Sequence, residues 1–189
     1  EDAAKVKAWS PDTLVVWRPY IDHNQQETWL QSPEWGAAEY VHGIQASLSA
    51  HAQYIDLVES INEVCHSTEA RVRSSVAFDV TFADLVAALG LGIGPVLLTI
   101  PVGNPHMAAW YPLLTPAARA AEQHNGALGY HAYWWGTQHV SGLDSWWPHH
   151  AGRWQTMDAV FVDAGVYPRW MLGEVGVVGT HDQGASLLP

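Results

Sequence analysis

Cysteine is almost missing from this chain: Cys65 stands alone, which excludes an internal disulfide and a cysteine-built zinc site and leaves the redox compartment open. Basic residues are also few. Eight Lys plus Arg face nineteen Asp plus Glu, for a formal charge of -11, and such a field repels phosphate backbones and anionic lipid surfaces. No nucleic-acid and no membrane partner is therefore expected. No apolar run reaches the ~20 residues that span a bilayer. The opening Glu1-Asp2-Ala3-Ala4-Lys5 lacks the basic-then-apolar profile of a signal peptide, and no Asn-x-Ser/Thr sequon occurs. The expectation is a soluble mature chain. Charged residues make up only 14% against 48% apolar, which excludes the composition of a disordered segment. The 189 residues suit a single domain with a real core, or part of one, and leave little room for two.

Recognised catalytic signatures are missing too. There is no Gly-x-x-x-x-Gly-Lys, no Gly-x-Ser-x-Gly and no His-Glu-x-x-His, which removes the P-loop, the nucleophile elbow and the zincin helix. Gly90, Gly92 and Gly94 precede an apolar strand instead of following one, so they do not form a dinucleotide fingerprint. His139 and His149-His150 have no partner at metal-ligand spacing and read as loop residues. A metal-dependent hydrolase built on them would lose activity with a chelator. Cys65 reads as a small packing residue.

Phenylalanine is scarce, at three, whereas tryptophan reaches eleven. The excess lies in the flat, amphipathic indole ring, which stacks on sugar faces and leaves a polar edge for hydroxyls. The doublets Trp134-Trp135 and Trp146-Trp147 are hard to bury completely, and one ring of each is expected to face a cleft or solvent.

Short apolar or β-branched runs alternate with segments of helical period, the pattern of a parallel α/β sheet. Strands are expected at about 14–18, 55–62, 95–100, 128–134 and 170–176. Residues 2–9 read as a helix end. Ser32-Pro33 opens a helix running to about Gln53, a second spans about 69–89, Thr115-Pro116 starts a third that stops at Asn125-Gly126, and Trp154, Met157, Val160 and Phe161 share one face of a fourth.

Ligands of parallel α/β folds gather at the carboxyl ends of strands, and two glutamates fall there, Glu63 and Glu174. A facing pair of carboxylates is the minimum equipment for retaining glycoside hydrolysis, one attacking the anomeric carbon and the other protonating the leaving oxygen. Arg18, at the end of the first strand, either braces a carboxylate or a sugar, or pairs with Asp22; both readings stand.

Asn62-Glu63 after an apolar strand, His131-Ala132-Tyr133-Trp134 on a later one and Gly173-Glu174-Val175-Gly176 on the next resemble, in order and spacing, the fourth, sixth and seventh strands of clan A glycoside hydrolases, the (β/α)8 TIM-barrel group that includes the family-five cellulases. The resemblance covers about residues 14 to 178. It implies Glu174 as nucleophile, Glu63 as acid/base, Asn62 on the sugar 2-hydroxyl, Tyr133 on the nucleophile, and His131 lining the substrate cleft, where Trp134, Trp135 and Arg18 are expected as further substrate-binding residues on their own residue-level grounds. It implies no cofactor and a carbohydrate substrate with β-linkages; a secreted location is favoured over others without being fixed by the sequence, and the aromatic loops at 107–112 and 136–148 point to endo action on a polysaccharide. Two positions depart from the family pattern: Val64 stands where proline is usual, and Gly173 where threonine is usual. They motivate the competing expectation of a carbohydrate-binding barrel without catalysis.

On this register the chain supplies the third to seventh barrel strands and lacks the first, second and eighth. In a flat five-stranded sheet the two glutamate strands stand three neighbours apart, about 14 Å at ~4.8 Å per strand, so barrel closure is expected to be what joins the pair. The aromatics of 107–112 and 136–148 are expected to form further sugar subsites.

Overall fold

The computed structural model describes residues 2–64, 66–135 and 150–178, with the side chains of Trp134, Trp135, Val177 and Val178 outside that description. Cys65, His139, Trp146, Trp147 and His149 likewise lie outside the described residues.

Five strands, β1 (Val16–Trp17), β2 (Leu57–Glu59), β3 (Gly94–Ile100), β4 (Ala127–Trp135) and β5 (Trp170–Val178), form one sheet in sequence order. Every pairing is parallel, and the sheet curls into a half-barrel. Among the described residues the α-helices are α1 (Asp2–Trp9), α2 (His23–Trp29), α3 (Pro33–His51), α4 (Glu69–Ala88), α5 (Thr115–Gln123) and α6 (Arg153–Asp163). Parallel neighbours need a crossover, and α3, α4, α5 and α6 provide them between successive strand pairs from β1–β2 to β4–β5.

Local chemistry explains the boundaries. Asp22 caps α2 by accepting from the Asn24 amide at 2.9 Å, and Thr68 caps α4 by accepting from Arg71 N at 3.2 Å. Pro33 sits in the first turn of α3. Asn125, at φ 54, ends α5 in the left-handed region that asparagine tolerates.

The core lies between the sheet and α2 to α6. A stack of aromatic rings forms one end of it: Tyr40 lies 5.4 Å from Trp29 and 5.3 Å from Phe82, and Phe78 contacts all three. Each fully buried ring or aliphatic chain contributes about 1.5–3 kcal/mol relative to exposure. Tyr40 also donates its hydroxyl to the Glu59 carbonyl at 2.9 Å, tying α3 to β2.

Three details differ from the sequence reading. The first strand is short and half-buried, and Leu14 is exposed, because among the described residues β1 pairs with β2 alone. The second strand stops at Glu59, resuming as a single bridge between Asn62 and Thr99. Glu63 therefore lies beyond the ladder, at φ 52, instead of ending a continuous strand. Finally, Tyr111 is buried and Trp110 packs against the core within a short 3-10 helix, Ala108–Leu114. Tyr111 is thus part of the core, and Trp110 packs partly against it.

Two bulges interrupt the sheet. Between β3 and β4 the register shifts between Leu97 and Ile100, where Leu98 adopts φ 54. A left-handed non-glycine residue costs roughly 1–2 kcal/mol. The Leu98 amide instead finds the buried Asp79 carboxyl of α4 at 2.8 Å, and a typical hydrogen bond of about 0.5–1.5 kcal/mol offsets much of that cost. Burial pushes the Asp79 carboxyl up to about 7. Between β4 and β5 the register shifts at Tyr130/His131, so that Tyr130 faces Leu172 but His131 faces Glu174, leaving Gly173 as the extra residue.

Candidate active site

The second bulge builds the site. Directly opposed residues of neighbouring strands point to the same face of a sheet. Without an extra residue at Gly173, His131 would oppose position 173 and Glu174 would point away; with it, Glu174 shares the face of His131. Space is tight there, since a Cβ at Gly173 would lie 3.3 Å from His131 Nε2 and the ring would have to give way by a few tenths of an ångström. Gly176 acts similarly two residues on. It opposes Tyr133, and a Cβ on it would press on the Tyr133 ring at 3.2 Å, so the ring crosses diagonally to Glu174.

Tyr133 donates its hydroxyl to Glu174 Oε2 at 2.6 Å, and Arg18 Nη1 donates to Glu174 Oε1 at 3.3 Å. The Tyr133 hydrogen bond, with the nearby His131 and Arg18, holds the Glu174 carboxyl below the usual carboxylate range in spite of partial burial. The same bond raises the Tyr133 phenol above its ordinary value. Arg18 Nη1 also donates to the Asn62 side-chain oxygen at 3.3 Å. Of the two partners open to Arg18 on sequence grounds, the structure selects the Glu174 carboxylate, while Asp22 caps α2.

Glu63 is reached from the other side. His131, only 1% exposed, places Nδ1 at 2.6 Å from Glu63 Oε1 and 3.8 Å from Glu174 Oε2. The Glu63 amide donates to the Thr99 carbonyl at 2.9 Å. Asn62 is held by its backbone, whose amide donates to Gln26 Oε1 at 3.0 Å. One ligand-type atom each from Glu63, His131 and Glu174 lies within 4.8 Å of the others. The expectation that closure alone joins the two glutamates is thus corrected: among the described residues they meet across an open, five-stranded sheet. Curl, the Gly173 bulge and the left-handed turn at Glu63 supply what a flat sheet lacks.

Of the expected site residues, Arg18, Asn62, Glu63, His131, Tyr133 and Glu174 therefore converge. Trp134 and Trp135 continue the backbone of β4, with side chains outside the described residues. Sequence reasoning missed Glu59. It is buried at 3% exposure, and its Oε1 lies 4.0 Å from Arg18 Nη1. Burial pushes its carboxyl above the ordinary range, against the pull of Thr99, Arg18 and His131. The available signal was a charged residue inside an otherwise apolar strand. Beside this cluster, Arg18, Tyr20, Gln26, Ser60 and Asn62 line a cavity of about 180 Å³.

Glu63, His131 and Glu174 are also the donor types of a divalent-metal site. Their geometry favours direct hydrogen bonding instead. A metal with ligands at about 2.0–2.2 Å holds its donors roughly 3 Å or more apart, whereas His131 and Glu63 are in contact at 2.6 Å. Glu174 is already engaged by Tyr133 and by the Arg18 cation. No helix among the described residues is long and apolar enough to cross a membrane. Compared with known protein families, curated proteins and solved structures, the chain matches none.

Proposed function

We propose that this chain carries the catalytic pair of a retaining β-glycoside hydrolase acting on a β-linked polysaccharide, and that its five strands are the third to seventh of a (β/α)8 barrel. The observation that carries the reading is the separation of the two carboxylates: oxygens of Glu63 and Glu174 approach within 4.8 Å. Retaining pairs stand about 5–5.5 Å apart, and inverting pairs about 6.5–9.5 Å, to admit a water.

Glu174 Oε attacks the anomeric carbon and forms a glycosyl ester as the glycosidic C–O bond breaks, while Glu63 transfers its proton to the departing oxygen. Glu63 then takes a proton from water, whose oxygen attacks the anomeric carbon and releases Glu174. Two inversions give net retention. The arrangement supports this division of labour. Donors from Tyr133 and Arg18 favour the ionised form of Glu174, and His131 Nδ1 is hydrogen-bonded to Glu63 Oε1 at 2.6 Å. Asn62, fixed by Gln26 and Arg18, faces the sugar 2-hydroxyl in this reading. The chemistry calls for no cofactor. Gly173, a departure from the family pattern, has a steric reason in the contact with His131.

Incubation of the chain with β-glucan, mannan and xylan, followed by NMR of the first anomer released, tests the proposal. Release of the β-anomer supports it. An α-anomer first, or polysaccharide binding with no turnover, overturns it, the latter in favour of a non-catalytic carbohydrate-binding barrel.

A further inference from the structure

Asp79 lies in the middle of α4, remote in sequence from every residue of the catalytic cluster, yet it is 1% exposed and accepts the Leu98 amide at 2.8 Å. That amide would otherwise serve the sheet. β2 and β3 keep one register on both sides of the gap, with Glu59 facing Val96 and Asn62 facing Thr99, and the ladder fails only where Leu98 turns left-handed at φ 54. The extra residue on β3 shifts its pairing with β4 at the same place. Directly after the turn, the Thr99 carbonyl accepts the Glu63 amide at 2.9 Å. Glu63 is itself left-handed at φ 52 and presents its carboxylate to His131 at 2.6 Å. A buried helix carboxylate, a bulge, a strand carbonyl and the Glu63 backbone thus form one continuous chain of contacts.

We propose that Asp79 is a positioning residue for Glu63: by capturing the Leu98 amide it holds the β3 bulge, and the bulge sets the Thr99 carbonyl that fixes the Glu63 backbone. Bulges commonly re-aim a neighbouring side chain at functional sites, and a left-handed leucine persists only where its surroundings over-determine it. The catalytic consequence rests on the reading of Glu63 as acid/base; the structural consequence does not.

The test compares Asp79→Ala, which removes the acceptor, with Asp79→Asn, which keeps a carbonyl oxygen for Leu98. Two readouts are taken: the His131 ring ¹⁵N shifts, and turnover on polysaccharide relative to an activated aryl glycoside. In Asp79→Ala the Nδ1 shift moves to the position it takes in Glu63→Ala. Polysaccharide turnover falls at least about tenfold, while formation of the glycosyl-enzyme from the aryl glycoside changes less than about threefold, because a good leaving group needs little protonation. Asp79→Asn stays within about twofold of the parent on both substrates, with the Nδ1 shift unmoved. Should the alanine variant not fold, Asp79→Ser, whose shorter side chain does not reach Leu98, takes its place. An unmoved Nδ1 shift in a folded Ala or Ser variant overturns the proposal, as does equal loss on both substrates. Lack of glycosidase activity in the parent chain sinks the acid/base reading alone, and the ¹⁵N comparison still decides the role of Asp79.

Discussion

Tyr133 and Glu174 meet by a diagonal across β4 and β5, hydroxyl to carboxylate at 2.6 Å, although the residue directly opposite Tyr133 is Gly176. The missing side chain at 176 is what lets the ring reach back two positions. This bond is the largest influence holding the Glu174 carboxyl below its ordinary range.

Tyr133→Phe removes that donor and leaves Arg18 as the remaining one. Glu174 must be ionised to attack, so activity is lost as pH falls through its pKa, and losing the donor moves that limb to higher pH. A hydrogen bond to a charged group contributes about 1.5–3 kcal/mol, so kcat/KM is expected to fall roughly 10- to 150-fold. A pH–rate profile of kcat/KM checks both. An acidic limb that stays in place excludes Tyr133 as the group that tunes Glu174.

Glu174→Ala and Glu63→Ala are expected to fail differently. The first abolishes turnover on every substrate, and azide attacking from the vacated face restores it with inverted product. The second spares the first step on activated aryl glycosides while polysaccharide cleavage collapses, and azide rescues the second step with retained configuration. Identical losses on both substrates, or wild-type polysaccharide turnover in either variant, contradict the assigned roles.

Gly173→Thr places a Cβ 3.3 Å from His131 Nε2, with further atoms beyond it. Because Gly173 is exposed and lies in the bulge, the strain falls on His131 and through it on Glu63. Overpacking of this kind costs about 1–3 kcal/mol. We expect polysaccharide turnover to fall ~10-fold or more while the melting temperature drops by only a few degrees. Gly173→Ala should fall between. Unchanged activity in the threonine variant shows that the family's usual residue fits here and that His131 has room to move.

His66 gives the fold an acid limit. It is 1% exposed, its Nε2 lies 2.7 Å from Ser75 Oγ, and its Nδ1 has no hydrogen-bond partner among the described residues. Burial, with the Arg71 charge, lowers it from 6.5 to about 4. Between those values the unfolded chain binds more protons than the folded one, so stability falls as pH drops from 6.5 toward 4, by on the order of 3 kcal/mol. The buried Asp79, raised to about 7, has the opposite slope over the range where the two overlap. Urea melts of His66→Gln between pH 4 and 7 isolate the histidine: relative to the parent, the variant gains stability as pH falls. A constant difference between variant and parent across that range excludes the buried neutral imidazole.

Much of this architecture was legible in the chain itself. Strand and helix order follow from local periodicity, and helix starts follow from the Ser32-Pro33 and Thr115-Pro116 steps, because those signals depend on neighbours a few residues away. The candidate residues Asn62, Glu63, His131, Tyr133 and Glu174 were visible for a related reason: polar groups at the carboxyl ends of apolar strands stand out against their own segments.

Tertiary structure alone decided how those residues meet. Arg18 chose Glu174 and Asn62 over Asp22 because strands distant in sequence lie side by side. Glu59 and Asp79 became buried carboxylates by the packing of α3 and α4 on the sheet, which no spacing within one segment reveals. Most of all, the one-residue slips at Leu98 and Gly173 are invisible to a period of two. A bulge is defined by the neighbouring strand it fails to match, so the turn of Glu174 toward His131 and the captured amide of Leu98 exist only in the pairing of strands.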